Sequence, residues 1–293
     1  MNQESAQATL SYIGLLGGAF VLTAMFYEWL AGKYKDGRKT KTDWKMTSLG
    51  LLGVVLFQRP LMMIIVFSIG AALFPHYAES FKWVDQEYFW SSLLAIVLID
   101  ELIHGYFHKF AHDRKPKNKT LQKIQNFYKG AHRVHHTNGG NDGKGEINVM
   151  QTFAVNWCWF LILPNYILGI VFLYLGFYEA FFWAFIIKNI WGLHNHTNWN
   201  YDLYFLNHKY AWVRKTMYAL CHVIVFPTMH HQHHSRSKNS ARNMQNIVAL
   251  YDWLLWGTLA IETEKPKISG WRQNKKEEDN VFRRWLNMGQ YQN

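Results

Sequence analysis

Long apolar runs alternate along the chain with strongly polar segments. Roughly Leu10 to Leu30 is one such run, and a helical crossing of a bilayer needs about 20 residues. A second run, Met46 to Phe74, is interrupted by Arg59-Pro60. It reads either as one kinked helix or as a short in-plane helix followed by a span. The third extends from Tyr88 to about His108. The stretch from Val149 to Leu193 is too long for one crossing; it divides near Leu175-Gly176-Phe177 into two spans, with Pro164 expected to kink the first. Ile247 to Leu259 is too short to cross and is expected to form an amphipathic helix, on the membrane surface or against the core. The pattern predicts an all-α, multi-pass helical integral membrane protein with five spans.

Loop charge supplies an orientation. Lys33, Lys35, Arg38, Lys39, Lys41 and Lys45 separate the first two runs, and Lys109, Arg114, Lys115, Lys117, Lys119 and Lys123 follow the third. The segment between the second and third runs is acidic by comparison, with Glu79, Asp85 and Glu87 against Lys82. The positive-inside rule makes the basic segments cytoplasmic and the acidic one external. The formal net charge of +11 fits anionic lipid or an acidic protein partner. A nucleic-acid partner is disfavoured, because much of the chain is apolar enough for lipid. Cys158 and Cys221 both sit in apolar surroundings, so no disulfide framework is expected. No basic residue precedes the first apolar run, so no cleavable secretory signal is expected.

The histidines change the picture from architecture to chemistry. Twelve of the fifteen fall in four clusters. These are His104, His108 and His112; His132, His135 and His136; His194 and His196; and His230, His231, His233 and His234. Residues three and four apart share a helix face, so HxxxH and HxxHH gather imidazoles on one side. Neutral imidazole is a common nitrogen ligand of iron, zinc and copper. Crowded imidazoles at a membrane face repel if protonated and need partners if neutral, and coordination answers both problems. Two HxxHH motifs, one HxxxH and a further cluster exceed the needs of one ion, so the count points to two. His194 and His196 are two apart, so a regular helix offers at most one of them comfortably. His76 and His208 read as surface or hydrogen-bonded residues, and His222 as a structural residue or a supporting partner. HExxH is absent, which leaves a zincin protease unsupported. Only one Glu-x-x-His string occurs, Glu101 to His104, so the soluble di-iron carboxylate scheme fails too. Gly139-Gly140 with Asn141-Asp142-Gly143 reads as a plain loop.

The strings His108-Lys-Phe-Ala-His112, His132-Arg-Val-His-His136, His196-Thr-Asn198 and Pro227-Thr-Met-His-His-Gln-His-His234 together resemble the fatty acid hydroxylase and sterol desaturase superfamily. Leu250, Asp252 and Trp256-Gly257-Thr258 resemble its closing stretch. The resemblance covers roughly residues 90 to 260. It implies a membrane-embedded helical enzyme with two iron ions and O2 as co-substrate, hydroxylating or desaturating a lipid such as a sterol or fatty acyl chain. Carried over by motif, the metal ligands are His108, His112, His132, His135, His136, His196, His230, His233 and His234. His104 doubles the first motif, which leaves its register between His104/His108 and His108/His112, and His194 is a further candidate. Glu101 stands where the family often has an aspartate.

The expected organisation is an N-terminal transmembrane region over residues 1–87, a histidine-rich hydroxylase/desaturase domain over 88–262 with a cytoplasmic helical cap holding the di-metal site, and a polar tail over 263–293. The site would lie on the cytoplasmic side of a bacterial inner membrane or of the endoplasmic reticulum. It would take lipid from the bilayer and electrons from a separate donor protein. Asp100 and Glu101, at the end of an apolar run, are expected either to bond a ligand imidazole or to pair with a nearby Lys or Arg. A different class, a histidine-lined metal transporter or sensor, would place its ligands near the middle of spans rather than at their ends.

Overall fold

The computed structural model describes residues 3–34, 41–136, 147–270 and 281–286. Among these the chain is helical, with no strand beyond two isolated bridges, Ile224 with Val248 and Ser235 with Ser269. The expected Gly139 to Gly143 loop lies outside the described residues, as do Lys35, Arg38 and Lys39.

The order is α1 (Gln3–Leu30), α2 (Lys41–Gly53), α3 (Arg59–Leu73), α4 (Lys82–Glu87), α5 (Phe89–His112), α6 (Lys119–His136), α7 (Trp159–Ile162), α8 (Pro164–Leu175), α9 (Tyr178–Asn195), α10 (Tyr201–Leu206), α11 (Ala211–Val223), α12 (Pro227–His233), α13 (Leu250–Leu254) and α14 (Val281–Leu286). Helices α2 and α3 are joined without a break by a π-helical turn, Val54–Gln58. The Arg59-Pro60 interruption therefore does not end the helix. Pro60 needs no N–H where the register changes, and buried Gln58 fixes the turn by donating to the Asn156 carbonyl (2.9 Å) and accepting from the Phe160 N–H (2.9 Å).

Among the described residues, two helices are long and apolar enough to cross a membrane, Asp43–Leu73 and Phe89–His112. Large side chains such as Leu56, Ile64, Leu73 and Leu94 stand exposed on them. Continuous apolar surface of this kind belongs in lipid rather than water. The stretch expected to hold two spans behaves differently. Val149–Phe153 is a 3-10 turn and Trp159–Ile162 a single helical turn, and Pro164 starts α8 instead of kinking it. Proline suits a first helical turn, where its missing N–H costs nothing. The 12 residues of α8 rise about 18 Å, short of a bilayer core of about 30 Å. The chain then reverses at Gly176, whose φ of +103° favours glycine, into α9. The Ile247–Leu259 segment gives only the short α13 rather than a full amphipathic helix, because its chain is bonded into the core described below.

Helices α5, α8 and α9 pack together, with Phe89, Leu93 and Ile96 of α5 against Ala180 and Ala184 of α9. The Gly176 turn is fastened to the acidic segment: Glu79 and Phe81 donate to the Tyr174 and Leu175 carbonyls, and Asp85 accepts from the Glu179 (2.8 Å) and Ala180 (3.1 Å) N–H groups. These turns thus share one end of the bundle, and the histidine-bearing helix ends lie at the other. Within the C-terminal segment expected as a polar tail, Trp285 packs over Gly53 and its carbonyl accepts from Asn156 (2.7 Å).

Gly105 admits a close approach to α5. A Cβ there would collide with the Gln245 amide and meet the Trp256 ring at 2.6 Å. Gly105→Ala is expected to cost about 1–3 kcal/mol by overpacking, a loss larger than the helix-propensity gain. A fall in the thermal unfolding midpoint in detergent is the check; an unchanged or higher midpoint would contradict the packing described.

Candidate metal centre

Each histidine reaches the site from a helix end. His108 and His112 close α5, His132, His135 and His136 close α6, His196 caps α9, and His230 and His233 lie in α12 with His234 as its C-cap. They assemble into two groups, within each of which the available ligand atoms lie within 4.8 Å of one another. The first holds His108, His112, His132, His136 and His233; the second holds His135, His196, His230 and His234. The two HxxHH strings each contribute to both groups. Helix α6 gives its i, i+4 pair to the first group and His135 to the second. Helix α12 gives its i, i+4 pair to the second and His233 to the first.

The carbonyls behind the rings fix their tautomers. His108 Nδ1 lies 2.6 Å from the Met244 carbonyl, His196 Nδ1 2.6 Å from that of Gly192, and His233 Nδ1 2.9 Å from that of Arg242. A carbonyl can only accept, so each Nδ1 carries the proton and each Nε2 points its lone pair inward. In the first group the Nε2 atoms form a chain, His108 to His132 at 2.9 Å, His132 to His136 at 2.8 Å and His136 to His233 at 3.1 Å. Both ends of that chain are bare acceptors. Neutral His132 and His136 cannot satisfy all three contacts, since one donating to each end leaves the middle contact between two N–H groups. A cation at the centre removes the conflict, so the residues fit a metal. In the second group the Nε2 contacts are His135 to His196 (3.1 Å), His196 to His230 (3.0 Å) and His230 to His234 (3.1 Å).

Burial, with the neighbouring imidazoles next, holds His132, His136, His230 and His234 well below the ordinary histidine value of 6.5. They are therefore neutral and competent as ligands. In the unfolded chain they take protons near 6.5, so below that pH the unfolded state binds more protons than the folded one. The stability of metal-free protein is accordingly full above 6.5 and falls progressively below it, down to the depressed range of the folded protein. Thermal midpoints from about pH 8 to about pH 5 should be flat and then descend; a midpoint that rises on acidification would contradict the burial.

Three buried carboxylates organise the site from a distance. Asp252 accepts from the Met244 and Gln245 N–H groups (3.0 Å each) and from the Thr258 hydroxyl (2.5 Å). It thereby holds the loop whose Met244 and Arg242 carbonyls orient His108 and His233. Asn243, at φ +52°, pins the same loop through Met229 and Ala260. Asp202 caps α12 through the Thr228 N–H and hydroxyl, both at 2.9 Å. Glu28 ties α1 to the strand of chain after His196 through the Asn198 N–H (2.5 Å), and also bonds Tyr34. Among these, only Asp252 was visible in the sequence, through the closing stretch; Glu28 and Asp202 carry no local signal.

His104 and His194 fall outside both groups. His104 lies one turn before His108, and its Nδ1 is buried without a hydrogen bond. His194 turns away to the Tyr201 hydroxyl (2.7 Å). The grouping thus brings together His108 and His112 and leaves out His104. His231 is buried but outside both groups. His222 is structural, bonded to the Tyr218 carbonyl at 2.9 Å and edge-on to Trp253. Asp100 and Glu101 make no hydrogen bond to a grouped imidazole. Both pair with Lys188, Glu101 at 3.4 Å, and Glu101 also accepts the N–H groups of Asn246, Ile247 and Val248. A carboxylate in the apolar bundle thus takes the cation nearest to it.

The family described as "Fatty acid hydroxylase" matches residues 93–258, more than half of the chain. The match runs from within α5 to Thr258 and so encloses all nine grouped histidines and Asp252. The chain belongs to the fatty acid hydroxylase family, within the sterol desaturase/fatty acid hydroxylase superfamily. No curated protein and no solved structure matches it.

Proposed function

We propose that this protein is a membrane-bound enzyme that holds two iron ions in its two histidine groups and uses O2 to hydroxylate or desaturate a lipid. The carrying observation is the convergence of nine imidazoles in two groups, in a chain of this family. His108, His112, His132, His136 and His233 would hold one ion, and His135, His196, His230 and His234 the other. With iron bound, the site would supply reduction of O2 and oxidation of an unactivated C–H bond. The chain's own contribution is to present neutral Nε2 lone pairs, to fix their direction through the Met244, Gly192 and Arg242 carbonyls, and to keep the centre dry.

The topology proposed with it places the histidine end of the bundle on the cytoplasmic side, following the basic segment after α5. That face would receive electrons from a separate, acidic donor protein. A transporter would need ligands partway along spans; the groups sit at helix ends, which supports the enzyme. The test is lipid analysis of cells with and without the protein under isotopically labelled dioxygen. A lipid that gains labelled oxygen, or a double bond formed only with O2 present, is the expected result. Unchanged lipids together with protein-dependent metal uptake would overturn it.

A further inference from the structure

Residues 244–248 lie outside any helix, yet each of their backbone N–H groups has an acceptor, and two buried carboxylates supply them all. Asp252 takes Met244 and Gln245, as described above. A single oxygen of Glu101, Oε2, takes Asn246 (3.1 Å), Ile247 (2.6 Å) and Val248 (3.2 Å). Glu101 stands fully buried in α5, with its other oxygen 3.4 Å from Lys188 Nζ. An ionised acceptor suits three donors on one atom, because charge-assisted hydrogen bonds are roughly twice as strong as neutral ones. Lys188 supplies the countercharge that a buried carboxylate needs.

The two halves of this segment serve different histidines. The upstream half carries the Met244 carbonyl behind His108 and continues from Arg242, whose carbonyl stands behind His233; both rings belong to the first group. The downstream half, held by Glu101, faces α9. There the Asn246 carbonyl accepts from the Asn195 amide (2.6 Å), beside His196 in the chain. The Asn246 side chain donates to the Lys188 carbonyl (3.1 Å) and lies against Gly192, whose own carbonyl orients the His196 ring. The Ile247 carbonyl accepts from the Val225 N–H (2.9 Å), just before Pro227 opens α12. That helix holds His230 and ends at His234, which join His196 in the second group.

We propose that Glu101 is a positioning residue for the second histidine group, as Asp252 is for the first, so that two carboxylates align two centres through one short segment. The claim rests on reading the histidine groups as metal sites. Glu101 touches no ligand ring itself and acts through Asn246 and Ile247.

The test is titration of metal-stripped, full-length protein in detergent with Co(II), followed by visible absorption. Two binding steps are expected in the wild type, one lost in His108→Ala and the other in His196→Ala. Glu101→Ala should weaken the His196-dependent step by about 10–100-fold and leave the His108-dependent step near wild type. Glu101→Gln, which keeps one accepting oxygen, should recover part of the loss. Asp252→Asn should weaken the other step. Equal weakening of both steps in Glu101→Ala, as general destabilisation would give, or no change in either, would overturn the proposal. Where Glu101→Ala does not fold, Asn195→Ala cuts the same link at the Asn246 carbonyl and should weaken the same step; an unchanged step there would also overturn it. Failure of the metal reading shows separately, as wild-type protein that binds no cobalt. Amide exchange of the metal-free protein then decides: Glu101→Gln should release the amides of residues 189–196 and leave those of 242–245 protected, and an even loss or the reverse would overturn the proposal.

Discussion

His233→Ala is expected to abolish turnover and to remove metal from the first group. His233 closes that group, opposite His108, with its Nδ1 committed to the Arg242 carbonyl. Losing the supporting partner of a ligand already costs about 10–100-fold in metal affinity or activity, and losing the ligand should cost at least that. His136→Ala should do the same, and His135→Ala and His234→Ala should strip the second group. The discriminating pair is on α5. His112→Ala should be as damaging as His233→Ala, while His104→Ala, outside both groups, should leave metal and most activity in place. His76→Ala and His208→Ala should be near wild type. Metal analysis beside activity checks the series. Damage from His104→Ala with a silent His112→Ala would contradict the grouping, and full activity in the His233→Ala, His234→Ala double variant would remove the metal site altogether.

Asp252→Ala should be nearly as severe although Asp252 touches no imidazole. It leaves the Met244 and Gln245 N–H groups and the Thr258 hydroxyl without their acceptor in a fully buried place. Each unmatched buried donor costs about 1–3 kcal/mol, and the sum is limited by how far the loop can move to find water. A loss of about 4 kcal/mol is expected, at the large end for a single substitution. The freed loop carries the carbonyls behind His108 and His233, so metal retention should fall with stability. Asp252→Asn keeps one accepting oxygen and should be intermediate. A variant with wild-type midpoint and metal content would show that the loop holds its place without the carboxylate.

That the histidine strings would converge was legible because i, i+3 and i+4 spacing gathers side chains on one helix face, and that spacing survives in the sequence without the fold. How they divide was not. Positions i, i+3 and i+4 of HxxHH sit within one arc of a helix, and only tertiary packing sends His135 one way and His132 with His136 the other. The carboxylates Glu28 and Asp202 act on chain far away in sequence, at Asn198 and Thr228, so nothing near them announces a role. For Asp100 and Glu101 both expected outcomes were chemically sound; the choice fell to Lys188, which only tertiary packing brings beside them. Pro164 failed as a kink for a related reason. Apolar content alone does not separate a kinked span from a short turn followed by a new helix, and the fold took the second course.

The central claim is that the two histidine groups hold two iron ions. Metal analysis joined to Mössbauer spectroscopy, on protein purified without oxygen, measures it directly. The result expected is about two irons per chain in nitrogen-rich surroundings, falling to about one in a variant of either group alone. A fully active preparation containing one ion per chain, or zinc and no iron, would contradict it.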